Sequence, residues 1–278
     1  MAKIAIIGSQ GVIGNALLPK LLANGHSLHL LNRSLADTSL ANCRHFKADI
    51  LDGPSLFAGL EGCEAVINLA TAIPKSGGSW LQNDKIRREG SLNLIAACQQ
   101  LGIGRYIQQS IAMLYRTTEE SWADETTPFT PNSITQSASD METLIGQSQL
   151  DWLILRAGLL YGKATGREQH LSLQAQKGEL FLPKNSYEFI SLIHLEDLAT
   201  AFSLAVNSAL TQVGINIVDD RPVSYAEFYH WLAKEQGIAH LPTQEKEAIF
   251  AFRVKNNLAK QQLGWQPIFK SFHSGVNH

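Results

Sequence analysis

The sequence predicts an α/β protein built on a doubly wound parallel sheet with helices on both faces. Three observations carry this. Short apolar runs alternate with longer amphipathic ones, the order that buries a parallel sheet between helices. A glycine-rich turn follows the first apolar run, at Gly8. Hydrophobic residues make up 45% of the 278 residues and charged residues 17%, so the chain has material for a sizeable core.

The elements follow in order. Lys3–Ile7 reads as a buried strand ending at Gly8. Val12–Ala23 has helical spacing, with Leu17, Leu18, Leu21 and Leu22 apolar. Ser27–Leu31 is a second strand, and His45–Lys47 a short third one ahead of a turn at Asp49–Gly53. Ala65–Leu69 is the fourth strand. Leu81–Leu101 reads as one long helix stopped by Gly102. Tyr106–Gln109 is the fifth strand, Thr135–Gln147 a mostly small and polar helix, and Trp152–Leu155 the sixth strand. The second half is less regular. It offers a helix at Gln169–Lys177, a strand at Phe189–Ile193, and a helix at Glu196–Val206 with an acidic first turn. A strand at Ile215–Val218 and a helix over Ser224–Gln236, begun by a serine N-cap, complete it.

Charge and cysteines narrow the function. Lys+Arg total 23 and Asp+Glu 25, a net charge of −2, which argues against nucleic acid or an anionic membrane as partner. The three cysteines form no CxxC pair, so no metal site and no disulfide framework is expected. The apolar run Ile4–Ile7 is broken by Gly8-Ser9-Gln10, too short for a signal peptide, and no stretch is long enough to span a bilayer. A cytoplasmic protein with a small-molecule substrate is expected.

Gly8-Ser9-Gln10-Gly11-Val12-Ile13-Gly14 is a GxxGxxG turn between a strand and a helix. Gly8 permits the tight turn, Gly11 lets the backbone approach a pyrophosphate, and Gly14 lets helix and strand pack closely. Gln10, Val12 and Ile13 complete the segment at the helix N-terminus, whose free N–H groups favour phosphate. A dinucleotide cofactor is therefore expected. A carboxylate ending the second strand would read the ribose 2′-hydroxyl of NAD. The chain has Asn32-Arg33-Ser34 there. With no carboxylate to repel a 2′-phosphate and Arg33 to pair with it, NADP is favoured, with NAD the alternative.

On these residues the chain resembles the extended short-chain dehydrogenase/reductase family, the NAD-dependent epimerase/dehydratases, over nearly its whole length. Asp49-Ile50 is similar to the family's adenine contact. Asn68-Leu69-Ala70-Thr71-Ala72 is similar to its motif along the cofactor. Ser110 to Tyr115, Leu155 to Gly162, His194 to Ala199 and Leu263-Gly264-Trp265-Gln266-Pro267 are also family-like. The resemblance implies a Rossmann-type domain at 1–161 plus 192–219 and a small substrate-side domain at 162–191 plus 220–278. It also implies cofactor contacts from Leu69, Ala70 and Thr71. Family members often dimerise through the helices here at Leu81–Leu101 and Thr135–Gln147. The polar second helix weakens that analogy, so monomer and homodimer both stand.

The resemblance fails at the chemistry. The family uses Tyr-x-x-x-Lys before the sixth strand, the lysine lowering the phenol's pKa. Aligning Pro131-Asn132-Ser133 with the preceding segment puts Thr135 at the tyrosine position and Ser139 at the lysine position. The orienting Ser/Thr falls on Ile111, with Ser110 adjacent, four and five residues before Tyr115. The family's Asn on the helix after the fourth strand falls on Arg87. Ser110, Tyr115, Thr135 and Ser139 are the degenerate catalytic positions. A replacement Tyr/Lys pair from Tyr115, Tyr161, Lys75 and Lys163 is possible. His194 reads as a structural histidine, while Arg167 and His170 fall in the family's substrate region, Arg167 either meeting a substrate anion or solvated. Two functions follow. One is an oxidoreductase or epimerase-like enzyme acting on a small carbonyl or sugar-type substrate with a non-standard active site. The other is an inactive dinucleotide-binding or redox-sensing module acting through a protein partner.

Overall fold

A computed structural model describes residues 1–35, 40–74 and 78–276. The chain divides into two units, Met1–Ser110 with Asn132–Leu155 and Ala199–Ile215, and Ile111–Pro131 with Arg156–Leu198 and Asn216–His278.

The first unit begins with β1 (Lys3–Ile7), α1 (Val12–Ala23), β2 (Ser27–Asn32), β3 (Cys43–Lys47), α2 (Gly53–Leu60) and β4 (Ala65–Asn68). After β4 come α3 (Leu81–Lys85), a π-helical turn at Ile86–Gly90, and α4 (Ser91–Leu101). β5 (Arg105–Ile111), α5 (Gln136–Gly146) and β6 (Asp151–Ala157) follow. The chain continues with β7 (Leu159–Tyr161), α6 (Arg167–Gln176), β8 (Phe189–Ile190), β9 (Leu192–His194), α7 (Leu195–Asn207) and β10 (Val213–Ile217). It ends with β11 (Val223–Ser224), α8 (Tyr225–Glu235), α9 (Asn257–Gln262) and α10 (Phe272–Gly275).

Seven strands form the main sheet in the order β10-β6-β5-β4-β1-β2-β3. β1 pairs in parallel with β2 and β4, β2 with β3, and β4 with β5. The strand order reverses beside β1, the place where open α/β sheets bind ligands. Ile4, Ala5 and Ile6 are fully buried, as a strand covered on both faces requires. α2 and α4 close one face over a core that includes Leu56, Leu60, Leu94 and Cys98. No helix among the described residues is long and apolar enough to cross a membrane.

Three elements differ from the sequence reading. Residues 81–101 are not one regular helix, because the π turn interrupts them. Gly90 lies against Ile50 so closely that a Cβ would stand 2.9 Å from its Cγ2. Gly102 ends α4 in the left-handed region at φ 71°, as a C-terminal glycine does. The Asp49–Gly53 turn continues into α2, with a proline in its first turn. The apolar run at 189–193 is two strands, not one. Ser191 breaks it, its hydroxyl accepting Val254 N–H at 2.9 Å. β8 pairs antiparallel with β11, and β9 pairs parallel with β7.

The second unit also holds 111–131, 156–161, 192–198 and 216–219, residues the sequence reading groups with the nucleotide domain. Backbone pairing explains the first of these. Thr117 N–H donates to Ala251 O at 2.9 Å and Ala123 N–H to Arg253 O at 2.8 Å, so the segment after β5 is tied to the C-terminal region. Tyr161, Phe228, Phe252 and Phe272 form this unit's core.

Candidate functional site

A cleft of about 310 Å³ opens where β1, β2 and β4 end. Its floor is the turn after β1. Gly8 takes φ +80°, and a Cβ on it would press on the Ala70 backbone at 3.1 Å. A Cβ on Gly14 would stand 2.1 Å from Ser9 O, so α1 reaches its place only with glycine there. A Cβ on Gly11 meets Gly8 O alone, at 3.4 Å, so that glycine keeps open the space in front of the loop. Asn15 N–H returns to Gly11 O at 2.9 Å, which starts α1.

The end of β2 braces this turn. Asn32 is buried. Its amide donates to Ser9 Oγ at 2.8 Å and its Oδ1 accepts Gln10 N–H at 3.3 Å. Gln10 Nε2 reaches Ser34 O at 3.0 Å. Arg33 stands exposed on the cleft wall. On the far wall Asp49 Oδ1 accepts Leu51 N–H at 3.0 Å, and Asn93 holds the Ile50 carbonyl at 3.0 Å. Asn68 fixes the β4 end by accepting Ala70 N–H at 3.1 Å.

Of the residues expected at a cofactor, Gly8, Gln10, Gly11, Asn32, Arg33, Ser34, Asp49, Ile50, Leu69, Ala70 and Thr71 line this one cleft. Val12, Ile13 and Gly14 begin α1 and do not line it. Ile7, Leu31, Ala48 and Ile86 also line it. The first three are apolar strand and loop residues that read as core in the sequence. Ile86 belongs to the π turn, which helical periodicity hides.

The degenerate catalytic positions are differently occupied. Thr135 is buried, and its hydroxyl accepts Asn132 N–H at 2.9 Å, closing the turn before α5. Ser139 is half-buried. The inward residues of α5 are Ser137, Ala138, Met141, Glu142 and Ile145, and the registers on either side, Ile134 with Ala138 and Gln136 with Asp140, supply neither a tyrosine nor a lysine. Ser110 is buried and donates to Glu142 Oε1 at 2.5 Å. Arg87 is buried in the π turn, and its Nη1 donates to Ser137 Oγ at 3.2 Å.

In the second unit Tyr115 and Tyr161 are buried. Tyr115 accepts from Arg156 Nη1 at 2.8 Å. Tyr161 donates to Ser271 O at 3.1 Å, and burial, then Asp219, pushes its phenol well above the ordinary range. Lys163 is exposed in a short helical turn, and Lys75 lies outside the described residues. His194 Nδ1 accepts Glu196 N–H at 3.2 Å at the start of α7, and its ring packs on Tyr161 and Phe269. Arg167 Nε donates to Leu160 O at 2.8 Å, and His170 is exposed.

One buried acid had no sequence signal. Asp219 has both carboxylate oxygens buried without a hydrogen-bond partner among the described residues. Arg221 N–H faces it without reaching bonding geometry, and burial raises its pKa well above 3.8. Among the described residues no group of three or more His, Cys, Asp or Glu is placed to hold a metal.

Comparison with known proteins is consistent with a nucleotide cleft. A family model described as NAD(P)H-binding matches residues 8–185. A 3-diazoavenalumate denitrifying reductase from a Streptomyces species is 27% identical, the alignment covering 99% of both chains. A 2-alkyl-3-oxoalkanoate reductase from Stenotrophomonas maltophilia is 26% identical over 73% of this chain and 64% of its own length. Among solved structures, a dTDP-glucose 4,6-dehydratase from Streptomyces venezuelae aligns with TM-score 0.86 at 18% identity, covering 99% of this chain and 94% of that one. A UDP-glucose 4-epimerase from Thermotoga maritima aligns with TM-score 0.80 at 19% identity, covering 99% and 96%. These two share the fold. With the family match spanning more than half its length, the chain belongs to the NAD(P)H-binding family and carries the Rossmann fold of the epimerase/dehydratases.

Proposed function

We propose that the protein is an NADP-preferring reductase that acts on a small electrophile without the family's Tyr/Lys pair. One observation carries the cofactor choice: Arg33 stands exposed on the cleft wall at the end of β2, and the described residues there, Asn32, Arg33 and Ser34, bring no carboxylate. A guanidinium there matches a 2′-phosphate by charge and geometry. The Gly8–Gly14 turn and the α1 N-terminus would take the pyrophosphate. Asp49 and Ile50 would meet the base, and Leu69, Ala70 and Thr71 would lie along the cofactor. Bound NADPH supplies a hydride. On a carbonyl substrate the hydride would go to carbon, the C=O π pair to oxygen, and water would protonate that oxygen; on an aryl diazonium carboxylate the hydride would go to the ring carbon while the C–N bond breaks and its pair leaves with N2.

Absence of the pair shapes the substrate class. Thr135 cannot act as a phenol does, and its hydroxyl already serves the turn. The favoured acceptor therefore needs little help from an enzyme acid. Two relatives are named reductases, and both names describe carboxylates. That supports a small carboxylate-bearing carbonyl or diazo compound ahead of a nucleotide sugar. The test is NADPH oxidation by purified protein across 3-oxoalkanoates, simple ketones and aldehydes, and aryl diazo carboxylates. Turnover of at least one class is expected.

The commitment of the Thr135 hydroxyl to Asn132 favours one second reading, a dinucleotide-binding module that acts through a protein partner. Tight NADPH binding without turnover on the whole panel would select it over the enzyme.

A further inference from the structure

We propose that Arg87 is the cationic donor of the reaction site and holds an anionic oxygen of the substrate. This rests on the reductase reading and names a residue for it. Two adjacent arginines make the case. Arg88 is partly exposed and pairs with Asp140 at 2.7 Å. Arg87 is only 8% exposed, yet among the described residues no carboxylate lies within ion-pair distance of it. A buried cation without a paired anion is costly, so such a charge points to a ligand.

The remaining donors are open. Nη1 is spent on Ser137 Oγ at 3.2 Å. Nε and Nη2 bond no described residue, and neither is among the sealed, partnerless buried atoms. Nε and Nη2 thus keep N–H groups unspent among the described residues. Asp84, one turn back, raises the guanidinium's pKa without pairing with it, and burial pulls the other way to about 10. The group stays protonated at neutral pH.

Position adds the second argument. Arg87 lies in the π turn, and π turns recur at functional sites. Its neighbour Ile86 lines the cleft. The residue it grips, Ser137, is followed on α5 by Ala138 and Ser139, which bring no charge of their own. Arg87 therefore sets a cation on the α5 face. In the reaction, hydride adds to carbon, the π pair moves to oxygen, and the guanidinium stabilises that oxygen by hydrogen bonds without giving up its proton. Water supplies the proton. The anionic oxygen is either this developing alkoxide or a substrate carboxylate.

Arg87→Ala and Arg87→Lys are compared with the parent in three assays. NADPH affinity, read by fluorescence titration, is expected within about threefold of the parent for both. Turnover of Arg87→Ala is expected to fall by roughly 100-fold, and added guanidinium ion to restore part of it. A fall in kcat assigns the alkoxide, and a rise in KM the carboxylate. In the third assay oxalate is titrated into the NADP complex and melting is followed. It should stabilise the parent and not Arg87→Ala. Turnover of Arg87→Ala within threefold of the parent, or equal stabilisation of both proteins by oxalate, overturns the proposal. If Arg87→Ala does not fold, Arg87→Gln carries the same comparisons. Failure of the parent to bind NADPH overturns the reductase reading instead, so the two failures are distinguishable.

Discussion

The cleft at the end of β1 and the start of α5 lie in the same unit and are built on opposite plans. At the cleft, polar side chains brace a backbone loop and leave the first N–H groups of α1 without a side-chain cap. Asn32 holds Ser9 and Gln10, and Gln10 holds Ser34. At α5, polar side chains turn inward and satisfy one another. Thr135 closes the Asn132 turn, and Ser110 bonds Glu142. A binding surface needs donors held open, and a packed helix start needs them filled. The contrast teaches that cofactor recognition and proton transfer separate in this fold, the first resting on backbone and the second on a few replaceable side chains.

The contrast can be broken at four points. Gly14→Ala should act most strongly. Its Cβ would sit 2.1 Å from the Ser9 carbonyl, so the turn must shift. NADPH affinity is expected to fall by more than about 100-fold, near 3 kcal/mol, with a lower melting temperature in calorimetry. Arg33→Ala comes next. Loss of a charge-assisted contact is expected to weaken NADPH by roughly 10- to 100-fold and to leave NADH within about twofold in the same titration.

Asp219→Asn tests the second unit through pH. The folded carboxyl has a raised pKa, so its stability contribution is fully present below 3.8 and is lost as pH rises through the higher folded value. The parent should therefore weaken across that range, and the asparagine variant should weaken less. A gain on the order of 1 kcal/mol at neutral pH and above is expected in urea melts. Thr135→Ala should cost about 1 kcal/mol of stability from the lost turn hydrogen bond and leave turnover within twofold. A hundredfold loss of turnover would return Thr135 to the chemistry.

The legible parts are local ones. The Gly8–Gly14 turn was readable because strand, glycine spacing and helix start are contiguous, and the same holds for Arg33 at the end of β2. The parallel sheet followed from apolar runs that need cover on both faces. The π turn was hidden because Ile86, Leu94 and Ile95 continue a helical pattern through it. Alignment places Arg87 at the family's asparagine position, but its burial was hidden with the turn, since a polar residue within a helix reads as solvated. The break at Ser191 was invisible because its cause is Val254, distant in sequence. The grouping of residues 111–131 with the C-terminal region has a cause of the same kind, since residues 117–123 pair with 251–253. Sequence placed Thr135 and Ser139 at the catalytic positions by alignment, while the inward face of α5 is set by packing.

The most direct measurement is equilibrium titration of the unmodified protein with NADPH and with NADH under one buffer. The account predicts tight binding of NADPH, at least about tenfold tighter than NADH, the worth of one charge-assisted contact of roughly 1.4 kcal/mol. Equal affinities, or a preference for NADH, would contradict it.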